Sequence, residues 1–147
     1  MKAERYLQSL RVMKFEIEKY EKMRKDIHVD VDYVNNSAMG AVKVQSSLKA
    51  DKMESEVIKC LEKVWTIDKK LAKLKSNYLK ARIDIVDHID MIPEGQCKRF
   101  LMDYYIDCMS MKQLSKMYGY TERTSIYQLR KRAVKKFEKK IQKEKIF

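Results

Sequence analysis

One strict hydrophobic repeat, between about Ala50 and Ile92, restricts the fold of this chain more than any other feature. Its members follow one another at alternating steps of three and four residues: Val57, Cys60, Val64, Ile67, Leu71, Leu74, Tyr78, Ala81, Ile85, His88 and Ile92. An α-helix places such a row along one side, where it packs against another helix as in a coiled coil. We therefore predict one long helix here, with Trp65 and Tyr78 as packing residues.

A second row with the same spacing covers roughly residues 3–27. Its members are Ala3, Tyr6, Leu10, Met13, Ile17, Tyr20, Arg24 and Ile27. The stretch between the rows, about 28–49, is rich in Asp, Asn and Ser and keeps no period, which predicts a connector. Residues 1–91 are thus predicted to form a long coiled-coil-like helical hairpin. Because the second row is the longer one, its remainder needs a further partner, which is either a second copy in a homodimer or the C-terminal domain.

The composition favours an all-α protein and argues against an enzyme. Only 3 Gly and 1 Pro interrupt the 147 residues, and helix-forming residues dominate the rest. We find no nucleophile motif and no glycine-rich phosphate loop, and the 3 Cys and 2 His have no ligand spacing. The sequence therefore predicts no catalytic residue, no cofactor and no metal. The absence of an apolar leader or membrane span predicts a cytoplasmic protein that does not enter a membrane.

A different pattern begins at Pro93, which is typical of the first turn of a helix. We expect one helix from there to about Cys108, with Phe100, Leu101, Tyr104 and Tyr105 on its apolar side. Ser110 and Gln113 then form a capping-box pattern that starts a short helix ending near Gly119. Thr121 is the expected cap of a last helix, which runs from about Glu122 and turns one apolar row inward. That row consists of Ile126, Leu129, Ala133, Phe137 and Ile141.

A short helix, a glycine turn and a longer basic helix are the parts of a helix-turn-helix, which binds DNA. Charge supports this interpretation, because the whole chain carries a formal net charge of +12 and residues 123–147 hold 10 basic and 2 acidic residues. We therefore predict that residues 92–147 form a helix-turn-helix domain that binds double-stranded DNA.

Residues 97–137 resemble the promoter-reading fourth region of bacterial sigma factors. The resemblance rests on Tyr104-Tyr105-Ile106, Met111-Lys112-Gln113-Leu114-Ser115, Tyr118-Gly119-Tyr120-Thr121-Glu122-Arg123 and Ile126-Tyr127-Gln128-Leu129. These residues are still more similar to the RinA and ArpU type of phage late-gene transcription regulators, which also place a charged helical segment before the helix-turn-helix. One departure is that Ile126 follows Gly119 by seven positions, where the family has six. The resemblance implies a phage- or prophage-encoded regulator that acts at promoters in a bacterial host cell, with RNA polymerase as a further partner.

The docking that this resemblance implies assigns roles to individual residues of the last two helices. The first turns of the last helix would enter the major groove, where Arg123, Thr124, Tyr127 and Gln128 would contact base edges. Phosphate contacts would come from Lys112, Arg130, Lys131, Arg132 and Lys135.

Two other functions share parts of this pattern. A phage terminase small subunit also joins a helix-turn-helix to helical oligomerisation segments, and binds DNA for packaging. A coiled-coil adaptor protein could bring the basic tail to acidic proteins or a membrane, although the Gly119 turn and the Thr121 cap would then have no explanation. A ring of many subunits would favour packaging, whereas a monomer or dimer would favour regulation.

Overall fold

The chain is all-helical where the structure describes it. The computed structural model describes the backbone of residues 2–40 and 47–146, and the side chains of residues 2–27 and 54–146. The elements are α1 (Lys2–Gly40), α2 (Ser47–Asp90), α3 (Gln96–Leu101), a π-helical turn (Met102–Ile106), α4 (Met111–Met117) and α5 (Arg123–Lys143). These ranges include no β-strand, which confirms the predicted all-α class. None of the described helices is both long and apolar enough to span a membrane.

The two predicted apolar rows, which we call the seams, are confirmed as the least exposed sides of the long helices. Every member of the row from Ala3 to Ile27 is buried or half-buried, and so is every member of the row from Val57 to Ile92. Trp65 is the exception to the packing prediction, because 61% of its surface is exposed. It lies one residue after Val64, a step of about 100° around the helix, and therefore points away from the seam.

The predicted connector at about 28–49 is wrong over most of its length. The α1 backbone continues as helix to Gly40, and α2 begins at Ser47, so only residues 41–46 of that stretch lie outside the described backbone. Asp, Asn and Ser lower helix propensity by only about 0.5–0.7 kcal/mol each, and no proline is present to interrupt the ladder. A loss of period therefore does not end a helix here.

Contacts divide the chain into two compact units: residues 1–14 with 77–147, and residues 15–76. We call the first the mixed unit and the second the hairpin unit. The predicted division into 1–91 and 92–147 does not follow these limits, since the mixed unit holds the predicted domain 92–147 together with parts of both long helices. The reason is hydrophobic burial, which joins these segments in one core.

The mixed unit has a continuous apolar core. α1 contributes Ala3, Leu7 and Leu10, and α2 contributes Ile85 and Ile89. The C-terminal elements contribute Phe100, Leu101, Tyr104, Tyr105, Ile106, Leu114, Ile126, Leu129, Ala133, Val134, Phe137 and Ile141. Leu7 and Ile89 are fully buried although neither belongs to a predicted seam, because each follows a seam residue and packs within this larger core. The end of the long seam therefore shares one core with both α1 and the C-terminal elements.

Polar contacts inside the mixed unit hold α1 to the C-terminal elements. The Arg11 guanidinium donates from Nη1 to the carbonyl oxygens of Tyr104, at 2.7 Å, and of Met109, at 3.2 Å. It also lies 4.1 Å from the centroid of the Tyr104 ring. Tyr6 Oη lies 2.8 Å from His88 Nδ1, which joins α1 to α2 within this unit. The first turns of α1 thus hold the segment that precedes α4 in place through hydrogen bonds.

The hairpin unit is a simpler pair of antiparallel helix segments. Arg24 forms an ion pair with Asp68, and Glu21 with Lys75 at 3.0 Å, so residue numbers fall along α1 as they rise along α2. The seam side chains with less than a tenth of their surface exposed in the described part of this unit are Ile17, Ile67 and Leu71.

Candidate nucleic-acid interface

The start of α4 is fixed by the predicted capping box. Ser110 Oγ accepts a hydrogen bond from the Gln113 amide at 3.2 Å, and Gln113 Oε1 accepts one from the Ser110 amide at 3.0 Å. The two bonds satisfy amide groups that would otherwise lack partners at the helix start. The sequence pattern around Ser110 is thereby confirmed, and α4 ends at Met117, two residues before Gly119, near which its end was predicted.

The turn after α4 depends on Gly119, whose φ of 73° lies in the left-handed region that favours glycine. The Tyr120 amide donates to the Ser115 carbonyl at 2.9 Å, which closes the end of α4. The Tyr118 hydroxyl donates to Asp103 Oδ2 at 2.6 Å and so holds this end of α4 against the π-helical turn. Burial and the hydrogen bond to Asp103 raise the pKa of Tyr118 far above its ordinary value, so this tyrosine stays neutral.

The predicted cap of α5 is wrong by one position. Glu122, not Thr121, occupies the N-cap, and it makes no side-chain capping bond. The helix begins at Arg123, one residue after the predicted start. This later start accounts for the seven positions from Gly119 to Ile126, where the family has six. Glu122 has an extended backbone, which is the usual conformation of an N-cap residue.

The four residues predicted to contact bases lie together on the exposed side of the first turns of α5. They are Arg123, Thr124, Tyr127 and Gln128. Ile126 and Leu129, on the other side of the same turns, have at most 1% of their surface exposed. The Arg123 guanidinium lies 5.9 Å from the centroid of the Tyr127 ring, one turn further along. Burial of one side thus fixes which side chains face solvent.

A cleft of about 400 Å³ separates α4 from the start of α5. Its walls include Lys112 from α4 and Arg123 and Tyr127 from α5. A predicted phosphate-contacting lysine and two predicted base-contacting residues therefore border the same depression, although they come from two helices. This arrangement offers both positive charge and an aromatic surface to a ligand.

The residues predicted to contact phosphates fall into two groups. Lys112, Lys131, Arg132 and Lys135 are exposed. Arg130 instead donates from Nη2 to Glu4 Oε1 at 2.9 Å, and its guanidinium lies 5.3 Å from the centroid of the Tyr104 ring. The charge of Arg130 is therefore already paired within the mixed unit. The four exposed cations are not the partners of Glu4.

Glu4 is the residue of this surface that the sequence analysis missed. It borders a cavity of about 480 Å³ whose other walls are Tyr127, Arg130, Lys131, Val134 and Lys135. Four of those five residues are predicted DNA contacts. No local signal could have identified Glu4, because it precedes Arg130 by 126 positions. Lys136 and Lys139 were also missed, although their exposure on α5 follows directly from the helical period.

The chain matches no protein-family model, and comparisons with curated proteins and with solved structures give no significant match. Within the side chains that the structure describes, no group of three His, Cys, Asp or Glu could hold a metal ion.

Proposed function

We propose that this protein is a sequence-specific DNA-binding transcription regulator. In this proposal α4, the Gly119 turn and α5 form a helix-turn-helix, and α5 is its recognition helix. The observation that carries it is the side-by-side exposure of Arg123, Thr124, Tyr127 and Gln128 at the start of a helix whose opposite side is fully buried. Because the backbone of this helix is already ordered, binding in a groove would cost side-chain entropy but little backbone entropy.

Sequence reading would follow from the chemistry of these side chains. A guanidinium group can form two hydrogen bonds with guanine O6 and N7, and a Gln side chain can do the same with adenine N6 and N7. Arg123 and Gln128 are therefore the residues expected to contribute most to base discrimination. Thr124 and Tyr127 would fill the space between them and contact neighbouring bases or sugars.

Affinity would come mainly from the exposed cations. Lys112 on α4 and Lys131, Arg132 and Lys135 on α5 would contact phosphates and release counterions without reading sequence. Arg130 would contribute less than these residues, because Glu4 already neutralises its charge. This distinction among neighbouring basic residues gives the proposal a specific electrostatic prediction.

The resemblance to the fourth region of sigma factors, and to RinA- and ArpU-type regulators, favours transcription among the functions open to a DNA-binding protein. On that basis we propose that the chain acts at promoters of a phage or prophage, in the cytoplasm of the host cell, with RNA polymerase as a further partner. The exposed lysines of α4 and α5 do not by themselves separate regulation from DNA packaging.

The test is selection of genomic DNA fragments by the full purified chain, at low salt and at about 150 mM salt, where phosphate contacts alone are much weakened. Enrichment of one or a few promoter-proximal sites that persists at the higher salt would support the proposal. Uniform recovery at low salt that disappears at higher salt would contradict sequence reading. The full chain is required because residues 92–147 complete their core with α1 and α2.

A further inference from the structure

A second apolar row runs along α2 within the hairpin unit, beside the seam. Ile58, Leu61 and Trp65 have 49%, 57% and 61% of their surface exposed, and Ala72 is exposed as well. We call these four residues the outer stripe. Large apolar side chains with this much exposure, grouped on one helix, are typical of a surface that another protein covers.

The spacing of the outer stripe favours a helix as its partner. Its members follow at steps of three, four and seven residues, which is the repeat of a coiled-coil seam with one position taken by Asp68, whose carboxylate pairs with Arg24. Each member also lies one residue after a seam residue, about 100° further around α2. A helix with two such neighbouring rows packs against two other helices, as helices do in four-helix bundles. In the hairpin unit, the described part of α1 is one of those two neighbours.

Charges beside the outer stripe identify a second copy of the chain as the partner. Glu62 and Lys69 are both exposed, lie on the same flank of the stripe, and stand on either side of Trp65 in the sequence. The Lys69 ammonium lies 3.8 Å from the centroid of the Trp65 ring, at the edge of the stripe. If two copies of α2 cross antiparallel about a two-fold axis near Trp65, Glu62 of each copy faces Lys69 of the other. A parallel pair would place the Glu62 and Lys69 side chains of the two copies on opposite sides of the interface, so these ion pairs would not form.

We propose that the outer stripe is a homodimer interface in which two α2 helices pack antiparallel. The pairing would bury Leu61 and Trp65 of both copies and form two symmetric Glu62–Lys69 ion pairs, as a closed two-fold interface requires. It specifies the homodimer expected for the coiled-coil segment, and it uses the outer side of α2 rather than its seam. The proposal does not depend on DNA binding, so its failure would leave the proposed function unchanged.

Trp65 is the chain's single tryptophan, and its fluorescence therefore reports on this surface directly. We expect the emission of the full chain to shift to shorter wavelength as concentration rises, in parallel with a doubling of the mass measured by light scattering. The Leu61→Glu variant should remain a monomer at every concentration and show no shift in its emission, while its circular dichroism spectrum stays unchanged. Phe15→Glu is the matched control, since Phe15 is 71% exposed but lies on α1, and it should leave both signals intact.

The orientation is tested by exchanging the flanking charges. Glu62→Lys and Lys69→Glu should each raise the dimer dissociation constant by about tenfold, because each variant places two like-charged pairs in its own dimer. An equimolar mixture of the two variants should regain the wild-type mass, since the mixed dimer restores both opposite-charge pairs. The proposal would be overturned if the wild-type chain kept the mass of a monomer at every concentration or formed an assembly larger than a dimer. It would also be overturned if Phe15→Glu disrupted the dimer as much as Leu61→Glu does, or if the mixture of the two charge variants did not regain the dimer mass.

Discussion

The mixed unit and the hairpin unit contain segments of the same two long helices, yet those segments are buried in different ways. In the mixed unit, Leu7 and Leu10 of α1 and Ile85 and Ile89 of α2 are completely buried among side chains from the C-terminal elements. In the hairpin unit the described side chains of the two helix segments pack against each other along a narrow seam, and ion pairs such as Arg24–Asp68 accompany it. A heptad row therefore predicts that a helix packs, but the number of partners decides how much of it is buried.

The largest expected effect comes from separating the C-terminal elements from the long helices. A fragment of residues 92–147 lacks Leu7, Leu10, Ile85 and Ile89, each of which contributes about 1.5–3 kcal/mol through burial. Their loss is comparable with the whole stability of a small domain, about 5–15 kcal/mol. We expect this fragment to show no cooperative thermal transition by circular dichroism. A fragment that folds as stably as the full chain would show that the mixed unit does not need the long helices.

A matched pair of leucine substitutions compares the two units directly. Leu10→Ala removes a side chain that is completely buried in the mixed unit, and Leu71→Ala removes one from the seam of the hairpin unit. We expect Leu10→Ala to cost about 3–5 kcal/mol in the free energy of unfolding and Leu71→Ala about 2–3 kcal/mol, because a more enclosed site leaves the larger cavity. Urea titrations followed by circular dichroism measure both values. Equal losses would contradict the difference in enclosure.

The next effect concerns DNA binding, which we expect to depend on the mixed unit and not on the hairpin unit. Arg123→Ala should weaken binding to a preferred duplex by about 1–3 kcal/mol while changing binding to random duplex much less. Lys73→Ala, which removes an exposed charge of the hairpin unit, is the control and should change neither. Fluorescence anisotropy with labelled duplexes provides both affinities. Equal weakening on the two duplexes would identify Arg123 as a phosphate contact.

A smaller effect is expected at the start of α4. Ser110→Ala removes the hydroxyl that accepts from the Gln113 amide and should lower the free energy of unfolding by about 1 kcal/mol. Ser110→Asp preserves an acceptor at the cap and should retain most of the stability. Thermal unfolding of the two variants measures the difference, and an unchanged midpoint for Ser110→Ala would mean that the capping box contributes nothing measurable.

The smallest expected effect distinguishes a free cation from a paired one. Lys135→Ala should reduce the slope of log affinity against log salt by about 1, as the loss of one phosphate contact does. Arg130→Gln should reduce it by less, because Arg130 is already paired with Glu4. Anisotropy titrations over a range of salt concentrations measure both slopes. A larger change for Arg130→Gln would mean that the Glu4 pair opens when DNA binds.

Local patterns in the sequence predicted local structure well and distant contacts poorly. The capping box at Ser110, the left-handed Gly119 and the buried row from Ile126 to Ile141 are all confirmed, since each depends on neighbouring residues. The pairing of Glu4 with Arg130 was not predictable, because it joins residues far apart in the sequence. The helix from about residue 28 to Gly40 was missed because weak helix formers can still extend a helix already formed. The roles of the base-contacting residues stay predictions.

Sequence reading by α5 is the central claim, and selection from a randomised duplex library tests it most directly. The full chain and its Arg123→Ala variant would be compared at the same salt concentration, with the bound duplexes sequenced. We predict that the wild-type chain selects one defined motif and that the variant selects the same motif with the preference lost at one position. Recovery of random sequence by the wild-type chain, or an identical motif for both proteins, would contradict the assignment of Arg123 as a base-reading residue.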